Sequence, residues 1–215
     1  GGSDQLAHYE SAKSADADEA RRLHILEAIR NERIELLYEP MVTLTGVVGE
    51  RYEITPRVTV GDGELLPPGE FLPQVTQEGL ALRFDRWLLS AGLDVLKAKL
   101  DAGQPVLLFI HQTLFGLAKE EWIDWVKDQI NERDLVRLRP VLQFEIAEAD
   151  QRMELAIKRA RQLNRLGIRV CLNGIDFSER SMRVRHAVPS AYVRISRRVI
   201  HGPDADSIAW LIQSI

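Results

Sequence analysis

Three acidic residues stand at or near the ends of short apolar runs: Glu53 in Tyr52-Glu53-Ile54-Thr55-Pro56-Arg57, Glu145 in Phe144-Glu145-Ile146-Ala147-Glu148, and Asp176 in Ile175-Asp176-Phe177. Runs of this composition read as strands. Carboxylates delivered from neighbouring strand ends can hold divalent cations, and two such cations clamp a phosphate and lower the pKa of an attacking water. The pattern points to metal-dependent phosphodiester chemistry on a barrel.

The elements that must position these residues follow from periodicity. Residues 4–18 are polar and alanine-rich and read as a linker or an extension helix from a preceding domain, and Gly1-Gly2-Ser3 as an expression scar. From Ala20 a helix is expected, with Leu23, Ile25, Leu26 and Ile29 on one face. Ile34 to Pro40 reads as a strand stopped by proline, and Val47 to Thr55 as a second. Only Thr43 to Gly46 separates the two, so an antiparallel pair is expected. Gly61-Asp62-Gly63 and Pro67-Pro68-Gly69 mark a loop.

Next comes a helix with Phe84, Trp87, Leu88, Ala91 and Val95 at helical spacing, Trp87 being read as core. Val106 to Ile110 is a continuous apolar run, as in strands buried on both faces. A helix carrying Trp122, Trp125, Val126 and Ile130 precedes a strand from Val141 to Ile146. Met153, Ala156, Ile157, Ala160 and Leu163 form another helical stripe, with Gly167 placed for its C-cap. Val170-Cys171-Leu172 and Tyr192 to Ile195 are short strands, and Ile208, Leu211, Ile212 and Ile215 form a last stripe. Alternation of this kind means α/β with a largely parallel sheet. Six strands are expected, against the eight of a closed barrel.

Composition limits the alternatives. The 215 residues are 45% hydrophobic with a net charge of -4, and the 28 basic and 32 acidic residues are mixed along the chain. That balance argues against nonspecific nucleic-acid binding, which needs a basic face. No apolar run reaches the roughly 20 residues of a membrane span. The one cysteine, Cys171, lies in an apolar run and reads as a small buried side chain in a reducing, cytoplasmic setting.

The order of segments resembles the EAL-domain family, bacterial phosphodiesterases of cyclic di-GMP. The landmarks are Leu37-Tyr38-Glu39-Pro40, Gly49 to Arg57, Leu66 to Pro73, Phe84-Asp85-Arg86-Trp87 and Phe144 to Glu148. The resemblance covers residues 23–215, leaving 1–22 as scar and linker. It implies a TIM-barrel-like α/β fold with an antiparallel first strand pair, apparently lacking the last two strands. His8-Tyr9-Glu10 also resembles the tail of a diguanylate-cyclase (GGDEF) domain, which would make this the second half of a tandem protein.

The same resemblance assigns roles. The family's Glu-Ala-Leu falls on Glu53-Ile54-Thr55, so Glu53 keeps a metal-binding carboxylate, and Arg57 keeps the arginine that contacts ligand phosphate. Glu145 keeps the fourth-strand glutamate. His111 replaces an asparagine, Ile175-Asp176 replaces paired aspartates, Arg194 replaces a lysine, and Glu39 replaces a glutamine that helps hold a guanine. Glu39, Glu53, Thr55, Arg57, His111, Glu145, Asp176 and Arg194 are thus the residual ligand-binding candidates, with no catalytic or metal residue assigned.

Ile175 supplies no oxygen, and a guanidinium, unlike an amine, stays protonated beside a metal-bound water. The implied function is a catalytically inactive EAL-like regulator working through protein contacts, without cofactor. A PilZ-type adaptor or a second copy are the candidate partners. The alternatives are a non-hydrolysing cyclic di-GMP receptor and an active phosphodiesterase needing Mg²⁺ or Mn²⁺.

Overall fold

The structure, a computed structural model, describes residues 18–43, 49–61, 63–135 and 138–200. The segment before residue 18 with its His8-Tyr9-Glu10, the greater part of the turn expected at Thr43 to Gly46, the strand start at Val47, and the stripe from Ile208 to Ile215 lie outside the described residues.

A helix (α1) occupies 18–30. Then come β1 (Ile34–Pro40), β2 (Arg51–Val60), β3 (Glu64–Leu66), α2 (Pro68–Gln77), α3 (Ala81–Asp101), β4 (Leu107–His111) and a single 3₁₀ turn (Gly116–Ala118). After these follow α4 (Trp122–Glu132), β5 (Val141–Glu145), α5 (Ile146–Gln151), α6 (Met153–Arg165), β6 (Arg169–Ile175), α7 (Glu179–Ala187), β7 (Tyr192–Ile195) and α8 (Arg197–Ile200).

The sheet order is β1-β2-β4-β5-β6-β7, with β3 paired to β2. β2, β4, β5, β6 and β7 pair in parallel throughout. Thr59 N donates to Arg33 O at 3.1 Å and Met41 N to Arg51 O at 2.9 Å. As β1 advances its partners on β2 recede, so this pair is antiparallel, as expected.

The chain divides into two compact units, Gly1–Leu37 with Thr55–Phe84 and Tyr38–Ile54 with Asp85–Ile215. In the first unit Ile25, Leu26, Ala28 and Ile29 of α1, Val58 and Val60 of β2, Leu66, and Phe71 and Val75 of α2 are buried. Phe71 and Phe84 meet edge to face, centroids 5.4 Å apart. Leu23, expected on the buried face, is exposed; Ala28 takes the inward position instead.

The loop expected from Gly61 to Gly69 contains a strand, so among the described residues the sheet has seven strands where six were expected. β3 is three residues long and pairs antiparallel to Val58–Val60. α2 was also not foreseen. Pro68 occupies the helix start, where a missing N–H is one of the unpaired donors in any case. β2 runs on to Val60, past the expected end at Thr55, with Pro56 inside it.

In the second unit, Leu108, Phe109, Ile110, Val141, Leu142, Phe144, Val170, Cys171 and Leu172 are all buried, as continuous apolar runs require. Strand alternation divides them by face. Ile54 and Ile110 meet α3 at Gly92, where an added Cβ would come within 2.9 Å of Ile54 Cδ1 and crowd Ile110 Cδ1. On the other face Phe109, Val141 and Cys171 form an apolar layer with Met41, Leu107 and Tyr192. The Phe109 and Tyr192 rings are 5.3 Å apart, edge to face.

Cys171 is a free, buried thiol, as its apolar run implied. Burial pushes its pKa up to about 12. Trp87, read as core, is only half-buried; Leu88, Leu89, Leu93 and Leu96 carry the buried stripe of α3. α6 ends as expected, with Gly167 at φ +75° and Ile168 N donating back to Leu163 O at 3.0 Å. Among the described residues no helix is long and apolar enough to cross a membrane.

Candidate functional site

Immediately above the apolar layer, on the same sheet face, the side chains turn polar. Register places them together: His111 pairs with Gln143, Gln143 with Cys171, Glu145 with Asn173, and Asn173 with Arg194. Because each strand alternates sides with period two, Gln143 and Glu145, and Cys171 and Asn173, face the same way. β2 adds Glu53, paired to Phe109. A polar layer at the carboxyl ends of parallel strands is where barrels of this type build their sites.

The layer is held by ion pairs and amides. Gln143 Nε2 donates to Glu53 Oε1 at 2.8 Å. Arg194 forms an ion pair with the same Glu53 oxygen. Asn173 Nδ2 donates to Glu145 Oε1 at 2.6 Å. His111 Nδ1 lies 3.7 Å from that Glu145 oxygen. Glu53 is the most enclosed of these carboxylates, 13% exposed against 39% for Glu145.

Four of the residues picked out in the sequence therefore meet here: Glu53, His111, Glu145 and Arg194. Asp176 does not join them. It is exposed, and its Oδ1 accepts from Ser178 N at 3.1 Å and Ser178 Oγ at 2.7 Å. Those bonds hold its carboxyl below the usual range. The oxygen thus organises the turn into α7, whose N-cap Ser178 accepts from Ser181 N. Ile175 is buried at the end of β6, opposite Ile195.

The β6 side chain that reaches the site is Asn173, with a register irregularity between it and Ile175. Asp176 thus makes its contacts with Ser178 and not with Glu53 or Glu145. Glu39 lies on β1, 3.6 Å from the exposed Arg197. Thr55 and Arg57 lie further along β2, in the other compact unit, where Arg57 Nη1 donates to Pro56 O at 3.1 Å.

Gln143 and Asn173 were missed by the sequence reading. Counting back two from Glu145 finds Gln143; Asn173 is found only through strand pairing.

The residues do not fit a pair of divalent cations. Such ions need oxygen donors on all sides. The Glu53 carboxylate already takes a guanidinium and an amide, and the Glu145 carboxylate an amide. Among the described residues no three His, Cys, Asp or Glu side chains converge as a metal site.

Below the polar layer's rim a second network fixes the segment after β4. Asp85 of α3 is buried, and its Oδ2 accepts from Thr113 N at 3.2 Å and Thr113 Oγ1 at 2.6 Å. Gln112 Nε2 donates to Asp85 O at 3.0 Å, and Glu148 Oε2 accepts from Leu114 N at 2.9 Å. Burial pushes the Asp85 carboxyl up to about 8, against the pull of the two Thr113 donors, with Glu148 adding to the rise.

An α/β sheet of this order, carrying its polar layer at the carboxyl strand ends, defines a TIM-barrel-like α/β domain. The chain belongs to the EAL domain family, whose model matches residues 22–214.

It is 27% identical over 214 residues to an uncharacterized 76.5 kDa protein in the phbC 3' region of Thiocystis violacea, covering 97% of this chain and 31% of that protein. It is 21% identical over 202 residues to the bifunctional diguanylate cyclase/cyclic di-GMP phosphodiesterase MucR of Pseudomonas aeruginosa, covering 93% and 30%. The chain thus spans about a third of the length of these curated relatives. Among solved structures, the FimX EAL domain from Pseudomonas aeruginosa bound to c-di-GMP matches with a TM-score of 0.80 at 21% identity, over 90% of this chain and 80% of that one.

Proposed function

We propose that this chain is a regulatory EAL domain in bacterial cyclic di-GMP signalling that does not hydrolyse the nucleotide and acts through contacts with other proteins in the cytoplasm. The observation that carries the reading is the Arg194 guanidinium seated on Glu53. Hydrolysis by a two-metal route needs that carboxylate for a cation. A guanidinium offers fixed, permanently charged N–H donors and no route to deprotonation. Asn173 and Gln143 support the same conclusion, since both spend their amide donors on the two carboxylates. Attachment to a cyclase-type domain ahead of residue 18, and a PilZ-type adaptor or second copy as partner, belong to the same proposal.

The test is direct. The protein is incubated with cyclic di-GMP and Mn²⁺ or Mg²⁺, and the products are separated by chromatography. No linear dinucleotide above a no-protein control is expected. Its appearance in proportion to protein would refute the reading.

A second reading, a receptor that binds cyclic di-GMP without cutting it, draws support from the accessibility of the polar layer. Arg194, His111 and Glu145 are all partly exposed, at 26%, 23% and 39%. Calorimetric titration with cyclic di-GMP separates the two: saturable heat favours the receptor, flat heats the protein-contact role.

A further inference from the structure

We propose that the amino ends of β5, β6 and β7 form a binding site for a phosphate group, held by Arg139, Arg169 and Ser190. The site lies at the opposite end of the sheet from the polar layer and does not depend on the functional reading above.

Strand register assembles it. Arg139 stands two residues ahead of Val141, and Val141 pairs with Arg169, the first residue of β6. Arg139 Nε lies 3.9 Å from where a Cβ on Gly167 would sit, so the guanidinium rests against the turn into β6. Ala191 N donates to Val170 O at 2.9 Å, which brings Ser190 alongside the start of β6 from the other side. Arg169 is held in place: its Nη1 donates to the Tyr192 hydroxyl at 2.6 Å, and its guanidinium lies over the Tyr192 ring, 5.4 Å from the centroid.

Two donors of this group have nothing to donate to. Arg139 Nη1 and Ser190 Oγ are buried without a hydrogen-bond partner. A buried donor left unpaired is destabilising, the more so on a cation. The ion pairs of Arg133 with Asp94 and Arg183 with Asp150 have no counterpart at Arg139 or Arg169 among the described residues. Burial alone shifts the Arg139 guanidinium, downward, with no acid nearby to offset it. The carbonyls that end α6 are already engaged, those of Gln162, Leu163 and Asn164 accepting from Leu166, Ile168 and Gly167 N. The two guanidiniums therefore carry charge that this end of the sheet does not balance. A phosphate group carries about two negative charges above neutral pH. Guanidinium forks match its oxygens in bidentate pairs, and a hydroxyl adds a neutral donor. A single carboxylate, with one charge and two oxygens, would leave one cation unserved.

The experiment titrates inorganic phosphate into the full chain by calorimetry, above neutral pH and in low chloride, with methyl phosphate titrated in parallel. One saturable site with a midpoint below about 5 mM is expected, weakening as chloride is added. Arg139→Gln and Arg169→Gln should each weaken it at least about tenfold, and Ser190→Ala by several-fold. Arg180→Gln removes the same charge from the exposed start of α7 and should leave binding unchanged. Without phosphate, Arg139→Gln should melt no lower than the unaltered chain, because the charge it removes has no partner to lose. A purely structural arginine would lower the melting temperature instead, and that result counts against the site.

Tighter binding of methyl phosphate assigns an esterified ligand and tighter binding of inorganic phosphate the free ion; either supports the site. Flat heats up to about 20 mM, or binding that survives Arg139→Gln and Arg169→Gln alike, would overturn the proposal. So would succinate binding more tightly than phosphate, since that would assign these arginines to carboxylates of an acidic partner. Should Arg139→Gln fail to fold, Arg169→Gln, which alters an exposed side chain, decides alone.

Discussion

Replacing Asp85 by asparagine tests whether a buried carboxylic acid sets the pH dependence of stability. In the folded chain Asp85 is 1% exposed, and burial, with the Glu148 charge as a smaller contribution, raises it from 3.8 to about 8. The unfolded chain releases the proton near the ordinary value of about 3.9. Below that value both states hold the proton and the contribution to stability is fully present. Between about 4 and about 8 the folded state keeps a proton that the unfolded state has lost, so stability falls as pH rises. The slope approaches 1.36 kcal/mol per pH unit, and across this window the loss is on the order of several kcal/mol. Asparagine has no proton to release, and its Oδ1 still accepts from Thr113.

Urea midpoints of both proteins are measured from pH 5 to pH 9, comparing differences so that other titrating groups cancel. At pH 5 the variant should be less stable by about 1 kcal/mol, the order of one hydrogen bond. The gap should close and then reverse toward pH 8. Parallel curves across the whole range would show that Asp85 titrates as an exposed carboxylate and that burial does not govern it.

Two further perturbations probe the same region. Gly116→Ala places a Cβ 3.1 Å from Asp85 Cγ and inside contact distance of Asp85 Oδ2; a loss of about 1–3 kcal/mol is expected in urea unfolding, as for overpacked cores, and an unchanged midpoint would mean the 3₁₀ turn shifts freely. Arg159→Met removes a fully buried guanidinium that donates to the carbonyls of Leu117 at 2.7 Å and Lys119 at 2.7 Å. Bonds from a charged donor contribute about 1.5–3 kcal/mol each and their acceptors become unsatisfied, so a loss of about 3 kcal/mol or more is expected in the same assay, with loss under about 1 kcal/mol refuting the role.

What the sequence disclosed follows from which forces leave a periodic trace. β4 was legible because burial on both faces demands an unbroken apolar run, and Leu107 to Ile110 is one. Gly167 was legible because ending a helix in the left-handed region favours glycine. β3 left no trace: two of its three residues are exposed, and its pairing to β2 comes from backbone hydrogen bonds, which any side chain permits. α2 was hidden by its own prolines, Pro68 at the start and Pro73 inside, both of which read as loop residues. Leu23 misled because helical spacing locates a stripe but not its edge.

The site shows a sharper limit. Residue type drew attention to Asp176, an acid next to a strand end. What fixes membership in the polar layer is register: Glu145 opposite Asn173, and Asn173 opposite Arg194. The register irregularity between Asn173 and Ile175 separates the side chain that hydrogen-bonds Glu145 from the residues that follow it on β6. Asp176 was then free to order the turn before α7, a task its short carboxylate performs by accepting from Ser178. Glu53, Glu145 and Arg194 were found by type, but their meaning changed once their partners were known. Two carboxylates that read by type as metal ligands carry a guanidinium and two amides, and so belong to a layer whose charge is balanced largely from within.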